Sequence, residues 1–187
     1  FFSSEEKSEA KKIVSSAKDY WKNNYSKNYK KIIFLETSST KINSRQFAQK
    51  HKNLDWGEYN WINLINKIKK DYLIIPSVHQ ETKNNFGIFK PNKMSFRLAC
   101  AVLNETDFFV GSHGGFGHAA AALNKKAVLY FGGWISPETM AYDFHENIYF
   151  KHKLSPCGEF GSICNHCEEA RKSISVNTFL KYIYKIS

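Results

Sequence analysis

The stretch that decides the fold is Phe108–Ala122, which reads FFVGSHGGFGHAAAA. An apolar run, a cluster of glycines and an alanine-rich run together predict a buried strand, a tight turn and the start of a helix. The first turn of a helix leaves backbone N–H groups unpaired, and glycines let an anion approach them closely. Serine and histidine side chains in the turn add further donors. The residues predicted to bind a phosphorylated ligand here are Ser112, His113, Gly114, Gly115 and His118.

Size and composition limit the class of protein. The chain has 187 residues, of which 42% are hydrophobic, so it can form one sizeable α/β domain and is too apolar to be disordered. No apolar run in the sequence approaches the roughly 18–20 residues of a membrane span. The formal net charge of +10 favours an anionic partner, but the lysines are scattered in pairs and form no stripe, so we expect no nucleic-acid partner. Because the chain begins Phe1-Phe2-Ser3 without an initiator Met or a signal pattern, we expect it to be part of a longer protein.

Apolar runs and amphipathic segments alternate along the chain. Short apolar runs predict strands over residues 31–35, 72–75, 108–111, 127–131 and 148–150, and a very short one over Gly87–Phe89. The first predicted helix begins at a capping box formed by Ser3 and Glu6 and ends at about Tyr25. The second is predicted from the helical spacing of Tyr59, Ile62, Ile65 and Ile68. Further helices are predicted from the N-cap Ser95 to Leu103, over 119–123 and over 176–183. This alternation predicts an α/β fold, a Rossmann-like parallel sheet with helices on both faces. We expect residues 1–30 to form a linker or return helix and residues 31–187 to form the domain, including a cysteine-containing C-terminal lobe.

Polar residues follow several of these strands. Thr37 and Ser38 come after the first strand, residues 79–81 (His-Gln-Glu) come after the second, and the glycine-rich loop comes after the fourth predicted strand. In open parallel sheets, ligands bind at the carboxyl ends of the strands. We therefore expect these residues to meet at one edge of the sheet.

Two other interpretations of the glycine-rich loop remain open. Residues Gly115–Ala120 match the letters GxGxxA of dinucleotide-binding loops. In dinucleotide-binding proteins that fingerprint lies in the first strand–helix unit, and an acidic residue ends the next strand. Here the next strand ends Phe131-Gly132-Gly133, without an acidic residue. The sequence therefore disfavours a dehydrogenase. A turn that only packs the helix tightly against the strand, with no ligand, is the stronger alternative.

Three of the four cysteines lie near the C-terminus. Cys157, Cys164 and Cys167 have the spacing C-x6-C-x2-C, with His152 and His166 close in sequence, which provides enough sulfur and nitrogen for a tetrahedral metal site. A structural zinc or iron ion is therefore a candidate cofactor. Reduced thiols without a metal are the alternative, because a second CxxC pair is missing. Four cysteines do not make a disulfide framework in a chain of this size, and a reducing, cytoplasmic setting fits best.

Three stretches of the sequence resemble the ADP-heptose–lipopolysaccharide heptosyltransferases, glycosyltransferase family 9. They are Trp56–Leu64 (WGEYNWINL), Pro91–Leu103 (PNKMSFRLACAVL) and Phe109–Leu123 (FVGSHGGFGHAAAAL). In that family they correspond to the helix entry after the first strand, the segment that lies against adenine, and the diphosphate loop. The similarity runs in consistent order from about Lys31 to the C-terminus.

The resemblance implies a GT-B enzyme of two Rossmann-like halves, of which this chain is the C-terminal, donor-binding half. It implies transfer of a sugar, heptose in the family, from a nucleoside-diphosphate sugar, with an ADP-sugar favoured, to a lipopolysaccharide or other surface glycan or glycolipid acceptor. No cofactor is required for such a transfer. The general base lies on the N-terminal half, so the chain by itself should bind the donor and transfer nothing. The implied location is the cytoplasm, at the cytoplasmic face of the inner membrane, with peripheral membrane association.

The resemblance also assigns roles to individual residues. Those placed at the phosphates or the base are Thr37, Ser38, Met94, Gly114, Gly115 and His118. Lys41 is the preferred candidate for the basic residue that precedes the tryptophan of the first loop, with Arg45 and Lys52 as alternatives. The family commonly has Asp-Thr-Gly where this chain has His113-Gly114-Gly115, so the loop supports diphosphate binding better than it supports any named sugar.

A function of a different class is also compatible with the sequence. The chain would then be a non-catalytic basic binding module whose C-terminal lobe is held together by a metal ion. That hypothesis predicts bound zinc or iron, and salt-sensitive binding to nucleic acid or anionic lipid.

Overall fold

Five strands form one parallel sheet in the part of the chain that the structure describes. The computed structural model describes residues 1–37, 52–78, 86–159, 162 and 164–187. The strands are β1 (Ile32–Glu36), β2 (Leu73–Pro76), β3 (Phe108–Ser112), β4 (Lys126–Gly132) and β5 (Glu146–Tyr149). Their order is β2-β1-β3-β4-β5, and every neighbouring pair is parallel. The predicted α/β class with a parallel sheet is confirmed.

Helices cover both faces of this sheet. They are α1 (Ser4–Asn24), α2 (Glu58–Ile68), α3 (Phe96–Asn104), α4 (Gly115–Ala122), α5 (Pro137–Met140), α6 (Asn165–Ser173) and α7 (Val176–Ile186), with a 3₁₀ turn at Lys52–Leu54. Buried residues of α1, α3 and α4 form one core with one face, and buried residues of α2 and α7 form a second core with the other face. None of the helices in the described ranges combines the length and the apolar character needed to cross a membrane.

Strand β1 shows why its sequence is apolar throughout. Ile32 and Phe34 belong to the first core, and Ile33 and Leu35 belong to the second. Side chains alternate between the two faces of a strand, so a strand that is covered on both sides needs apolar residues at consecutive positions. The last residue of the strand, Glu36, shares a face with Ile32 and Phe34 and therefore points to the face that α4 covers.

Two predicted helix starts are confirmed by their caps. The Ser3 hydroxyl accepts a hydrogen bond from the backbone N–H of Glu6, and the Glu6 carboxylate accepts one from the backbone N–H of Ser3, which completes the capping box. Ser95 accepts from the backbone N–H of Leu98 at the start of α3. Helix α1 packs against α3 and β2 and buries Ala10, Val14, Ala17 and Trp21.

The elements differ from the prediction in three places. The strand predicted over Gly87–Phe89 is wrong, because these residues form a bend outside the sheet. Helix α4 begins at Gly115, four residues earlier than predicted, so the glycines belong to its first turns. Helices α5 and α6 were not expected from the sequence.

Candidate functional site

A crevice opens at the N-terminus of α4, beside the carboxyl end of β4. It is a small, shallow crevice with a volume of about 10 Å³. The residues that line it are His113, Gly114, Gly117, His118, Leu129, Phe131, Met140 and Tyr142. Four residues of the predicted loop region, His113, Gly114, Gly117 and His118, therefore line a single concave site.

The backbone of the loop is shaped by Gly114. This residue precedes α4 with φ 157° and ψ −159°, a region that is essentially restricted to glycine. A Cβ atom built on Gly114 would meet nothing within 4 Å, so open space lies next to the loop. Because α4 has no capping side chain, the N–H groups of its first turn are available to bind an anion.

The glycines of this region have different tasks. A Cβ on Gly111 would lie 2.6 Å from Cζ of Phe109, and a Cβ on Gly117 would lie 3.3 Å from Cδ1 of Leu129. Gly117 therefore serves close packing of α4 on β4, as the alternative without a ligand requires, and Gly111 serves close packing within the sheet. Gly115 is exposed and has only an ordinary contact with Phe96, at 3.4 Å.

His113 forms one side of the crevice. Its ring stacks on Phe131, with centroids 4.7 Å apart, and its backbone N–H donates to the carbonyl of Tyr130. Burial lowers the pKa of the His113 imidazole to about 4, so the ring is neutral near pH 7. Among the described residues, Nδ1 of His113 and Oγ of Ser112 are buried without a hydrogen-bond partner. The loop therefore presents neutral polar atoms at these two positions.

His118 also lines the crevice and is exposed. Its Nδ1 lies 3.1 Å from the hydroxyl of Tyr142. When that hydroxyl donates to Nδ1, the proton of the neutral ring is on Nε2, where it can be donated to an anion. The contact with Tyr142 therefore fixes the orientation of the ring, and the diphosphate role of His118 stays a prediction.

The carboxyl end of β1 reaches the same edge of the sheet, since Glu36 is in register with Gly111 of β3. Thr37 follows directly and is half-buried. Two further residues predicted to bind the nucleotide-sugar, Ser38 and Lys41, lie outside the described residues, as do residues 79–81. Their roles stay predictions.

Glu36 is a site residue that the sequence analysis missed. Its side chain is buried, and burial raises the pKa of its carboxyl to about 8. The residue follows an apolar run and precedes a run of hydroxyl-bearing residues, so it was interpreted as the start of the loop. Both faces of β1 are covered, so side chains have to be buried up to the last residue of the strand. That requirement is the signal from which the burial of Glu36 could have been predicted.

Met94 lies in the first core, where its side chain is 3% exposed. Its backbone N–H donates to the carbonyl of Val78, which fixes the segment before α3 to the end of β2. The contact with a nucleobase that the resemblance implies for Met94 stays a prediction.

The cysteines form a second candidate site, away from the crevice. The Sγ atoms of Cys157, Cys164 and Cys167 all lie within 4.8 Å of one another, and those of Cys157 and Cys167 are 3.1 Å apart. Three convergent thiols of this kind can hold a zinc or iron ion as thiolates. The three predicted metal ligands are therefore brought together.

Hydrogen bonds prepare one of these thiols to lose its proton. Burial alone raises the pKa of the Cys164 thiol, but backbone N–H groups of Cys167 and His166 and the thiol of Cys157 donate to it and together lower that pKa below its ordinary value. Burial and the neighbouring sulfur atoms raise the pKa of the Cys167 thiol. His166 is oriented elsewhere, with Nε2 at 2.7 Å from Oγ of Ser155.

The loop that carries the cysteines is anchored to the core by Asn53. Its amide Nδ2 donates to the carbonyls of Glu159 and Ser162, and its Oδ1 accepts from the backbone N–H of Cys164. The indole of Trp134 donates to the same carbonyl of Glu159. This network positions the thiol cluster without a contribution from any metal.

Solved glycosyltransferases share this fold. A glycosyl transferase family 9 protein from Veillonella parvula aligns over 100% of this chain and 52% of its own, with 12% identity and a TM-score of 0.64. The ADP-heptose lps heptosyltransferase II of Escherichia coli aligns over 100% of this chain and 52% of its own, with 13% identity and a TM-score of 0.61. TibC, an iron-containing dodecameric glycosyltransferase of enterotoxigenic Escherichia coli, aligns over 87% of this chain and 47% of its own, with 15% identity and a TM-score of 0.61. TibC has also been solved with ADP-D-beta-D-heptose, in a structure with 14% identity and a TM-score of 0.53 over 87% of this chain and 46% of that one.

The chain spans about half the length of each of these proteins. No protein-family model matches the sequence, and no curated protein matches it either. What the chain shares with these enzymes is therefore the Rossmann-like fold of a GT-B glycosyltransferase. The resemblance seen in the sequence is matched at that level.

Proposed function

We propose that this chain is the donor-binding half of a glycosyltransferase and that it holds an ADP-sugar with the diphosphate at the N-terminus of α4. The observation that carries the proposal is the crevice in which Gly114 leaves open space beside an uncapped helix start and His118 presents a ring nitrogen. Solved enzymes of the same fold include an ADP-heptose transferase and a protein bound to ADP-D-beta-D-heptose. A fold alone does not define an activity, so the crevice and its side chains have to supply the argument.

The chemistry of the transfer fits these groups. Cleavage of the bond between the sugar and the diphosphate leaves negative charge on the departing phosphate. A helix N-terminus and a hydrogen-bond donor such as His118 stabilise that charge without a metal ion. The acceptor hydroxyl has to lose its proton to a base, which we assign to a carboxylate on the other half of the enzyme.

The partners follow from the same proposal. The acceptor is a lipopolysaccharide or another surface glycan or glycolipid, and the second half of the enzyme completes the cleft. We place the reaction in the cytoplasm, at the inner face of the membrane, because free thiols suit a reducing compartment and a glycolipid acceptor is presented by a membrane surface. The neutral His113 leaves the identity of the sugar open, with heptose as the first candidate to test.

Calorimetry on the 187-residue chain tests donor binding. We expect ADP to bind, and we expect His118→Ala to weaken that binding by about tenfold to hundredfold, since a hydrogen bond to a charged group contributes about 1.5–3 kcal/mol. His152→Ala, which changes a histidine outside the crevice, is the matched control and should bind ADP normally. Absence of ADP and ADP-sugar binding to the unaltered chain would reject the proposed function.

We also propose that Cys157, Cys164 and Cys167 bind a structural zinc or iron ion. The support is the convergence of three sulfur atoms in one loop, and the iron in a protein of the same fold is consistent with it. Such an ion would staple the loop after β5 to the start of α6 and stabilise the C-terminal lobe. It has no role in the transfer that we propose.

Metal analysis of the purified chain tests this site. We expect about one zinc or iron ion per chain, loss of that ion in Cys164→Ser, and full retention in Cys100→Ala, which removes the one free cysteine that lies in the first core. Chain that stays metal-free after purification with zinc or iron supplied would contradict the metal site. A chain that binds metal, fails to bind any nucleotide and binds nucleic acid or anionic lipid would favour the non-catalytic alternative.

A further inference from the structure

An exposed aromatic segment borders the crevice on the side of β4 and β5. Met140 and Tyr142 line the crevice and are 42% and 36% exposed, and Phe144 beside them is 46% exposed. Exposed aromatic side chains next to a polar crevice are typical of binding surfaces. The segment is not used by the diphosphate site described above, apart from the hydroxyl of Tyr142.

Tyr142 is held firmly although it is exposed. Its carbonyl accepts hydrogen bonds from the backbone N–H of His145 and from Nδ2 of Asn147. Its hydroxyl lies 3.1 Å from Nδ1 of His118, and its ring packs edge-on against His118 and His145. His145 is itself buried and lies 3.3 Å from the carbonyl of Gly117 in α4. A side chain fixed in this way loses little freedom when a ligand binds, so its contacts translate efficiently into affinity.

Two aromatic side chains approach the first turns of α4. Phe96, at the start of α3, approaches Gly115, and the hydroxyl of Tyr142 approaches His118. The resemblance in the sequence implies that the nucleobase lies against the segment that contains Phe96. With the diphosphate at His118 and the base toward α3, the sugar is the end of the ligand that is left to contact Tyr142.

We propose that the ring of Tyr142 is the platform on which the transferred sugar of the donor stacks. The inference rests on the proposed function and adds the contact that distinguishes an ADP-sugar from ADP. The C–H groups on one face of a sugar ring pack favourably on the electron-rich face of an aromatic ring. Met140 and the neutral His113 line the same crevice.

The test compares the binding of ADP with the binding of ADP-D-beta-D-heptose and ADP-glucose to the 187-residue chain, by calorimetry. We expect the unaltered chain to bind at least one of the two ADP-sugars more tightly than ADP. Tyr142→Ala should reduce that preference by about threefold to tenfold, as expected for the loss of one aromatic contact. Tyr142→Phe keeps the ring and should keep the preference, whatever the lost hydroxyl does to the affinity for ADP itself.

Tyr59→Ala is the matched control, because this tyrosine is 77% exposed on α2 and does not line the crevice. It should leave the preference unchanged. If Tyr142→Ala proves unstable in a melting experiment, Tyr142→Leu removes the aromatic face and keeps an apolar side chain.

The outcomes separate this inference from the proposed function. Failure of the unaltered chain to bind ADP or either ADP-sugar removes both. If the unaltered chain binds ADP and both ADP-sugars with the same affinity, only the sugar platform is removed. The same holds if a preference for an ADP-sugar survives Tyr142→Ala and Tyr142→Leu. An equal loss in Tyr59→Ala would also overturn it, since the effect would then not depend on a ring at the crevice.

Discussion

At the scale of single residues, Glu36 carries a carboxyl group in a place where few carboxyl groups are found. It ends a strand whose residues are all buried, and it points to the face that α4 covers. Burial disfavours the charged form and raises the pKa of the carboxyl to about 8. The folded chain therefore holds a protonated carboxylic acid at the carboxyl edge of its sheet at neutral pH, where it can donate a hydrogen bond.

This pKa predicts how the stability of the chain depends on pH. In the unfolded chain the carboxyl titrates near its ordinary pKa of 4.5. Between pH 4.5 and about 8 the folded state therefore binds more protons than the unfolded state. The contribution of Glu36 to the free energy of unfolding is therefore fully present below pH 4.5 and is lost as the pH rises toward 8. Glu36→Gln should remove that slope and be more stable than the unaltered chain at pH 8, by on the order of 1–3 kcal/mol.

Urea unfolding at pH 4.5, 6 and 8 measures the difference. Glu9→Gln, at an exposed position of α1, serves as the control and should follow the unaltered chain at each pH. Parallel pH profiles for Glu36→Gln and the unaltered chain would show that the carboxyl of Glu36 is ionised in the folded state.

Gly111 gives a second prediction at this scale. A Cβ there would lie 2.6 Å from Cζ of Phe109 and 2.9 Å from the carbonyl oxygen of Glu36, and the latter is backbone in the centre of the sheet. Gly111→Ala should therefore lower the free energy of unfolding by about 1–3 kcal/mol. Gly115→Ala is the matched control, since its Cβ finds ordinary contacts and alanine favours a helix. Denaturant unfolding measures the free energy of unfolding of both variants. Equal values would contradict the packing role of Gly111.

The same glycines show how far the candidate site could be predicted. The sequence indicated a glycine-rich anion loop and identified His113, Gly114 and His118, and the structure places these three residues around one crevice. It could not separate Gly111 and Gly117, which serve packing, from Gly114, because that distinction depends on which side chains approach from other elements. It also missed Tyr142, whose role depends on a contact with His118.

At the scale of elements, the amphipathic helices were predicted where large apolar residues mark the pattern. Helix α2 was expected on a face that included Tyr59, but Tyr59 is 77% exposed and the buried face contains Trp61 and Leu64. Helix α6 escaped prediction because its buried residues are His166, Cys167 and Ala170, which are too small or too polar to show a hydrophobic period.

Asn53 allows the cysteine-bearing loop to be tested as an element. Its side chain is 1% exposed and makes three hydrogen bonds to that loop. Asn53→Ala should lower the free energy of unfolding by about 1–3 kcal/mol and weaken metal binding, because buried backbone groups lose their partners. Asn53→Asp keeps an acceptor for the N–H of Cys164 but buries a carboxylate against the carbonyls of Glu159 and Ser162, so it should be at least as unstable as Asn53→Ala. Denaturant unfolding with metal titration measures both effects, and a neutral Asn53→Ala would show that the loop is held by other contacts.

At the scale of the whole molecule, the excess of positive charge opposes folding. The formal net charge is +10, and like charges repel more strongly in the compact state than in the unfolded chain. Salt screens this repulsion, with a Debye length that shortens from about 30 Å at 0.01 M to about 10 Å at 0.1 M. We expect the melting temperature of the metal-loaded chain to rise by about 1–3 °C over that range.

A charge variant provides the control for this prediction. Lys11→Glu combined with Lys18→Glu reverses two exposed charges on α1 and lowers the net charge. Its melting temperature should respond less to salt than that of the unaltered chain, in the same fluorescence-monitored melting experiment. A melting temperature that falls with salt would mean that attractive ion pairs outweigh the net repulsion.

The order of strands in the sheet affects how the chain folds while it is synthesised on the ribosome. Strand β1 lies between β2 and β3, and β3 leaves the ribosome only after α1, β1, α2, β2 and α3 have all been made. Until then one long edge of β1 has no partner, and pairing across such sequence distances is slow because a large loop must close first. A nascent chain that stops before Phe108 therefore exposes an unpaired apolar edge of the kind that aggregates or recruits chaperones. Translation of FFVGS supplies the strand that pairs with that edge. The binding loop follows this strand directly in the chain.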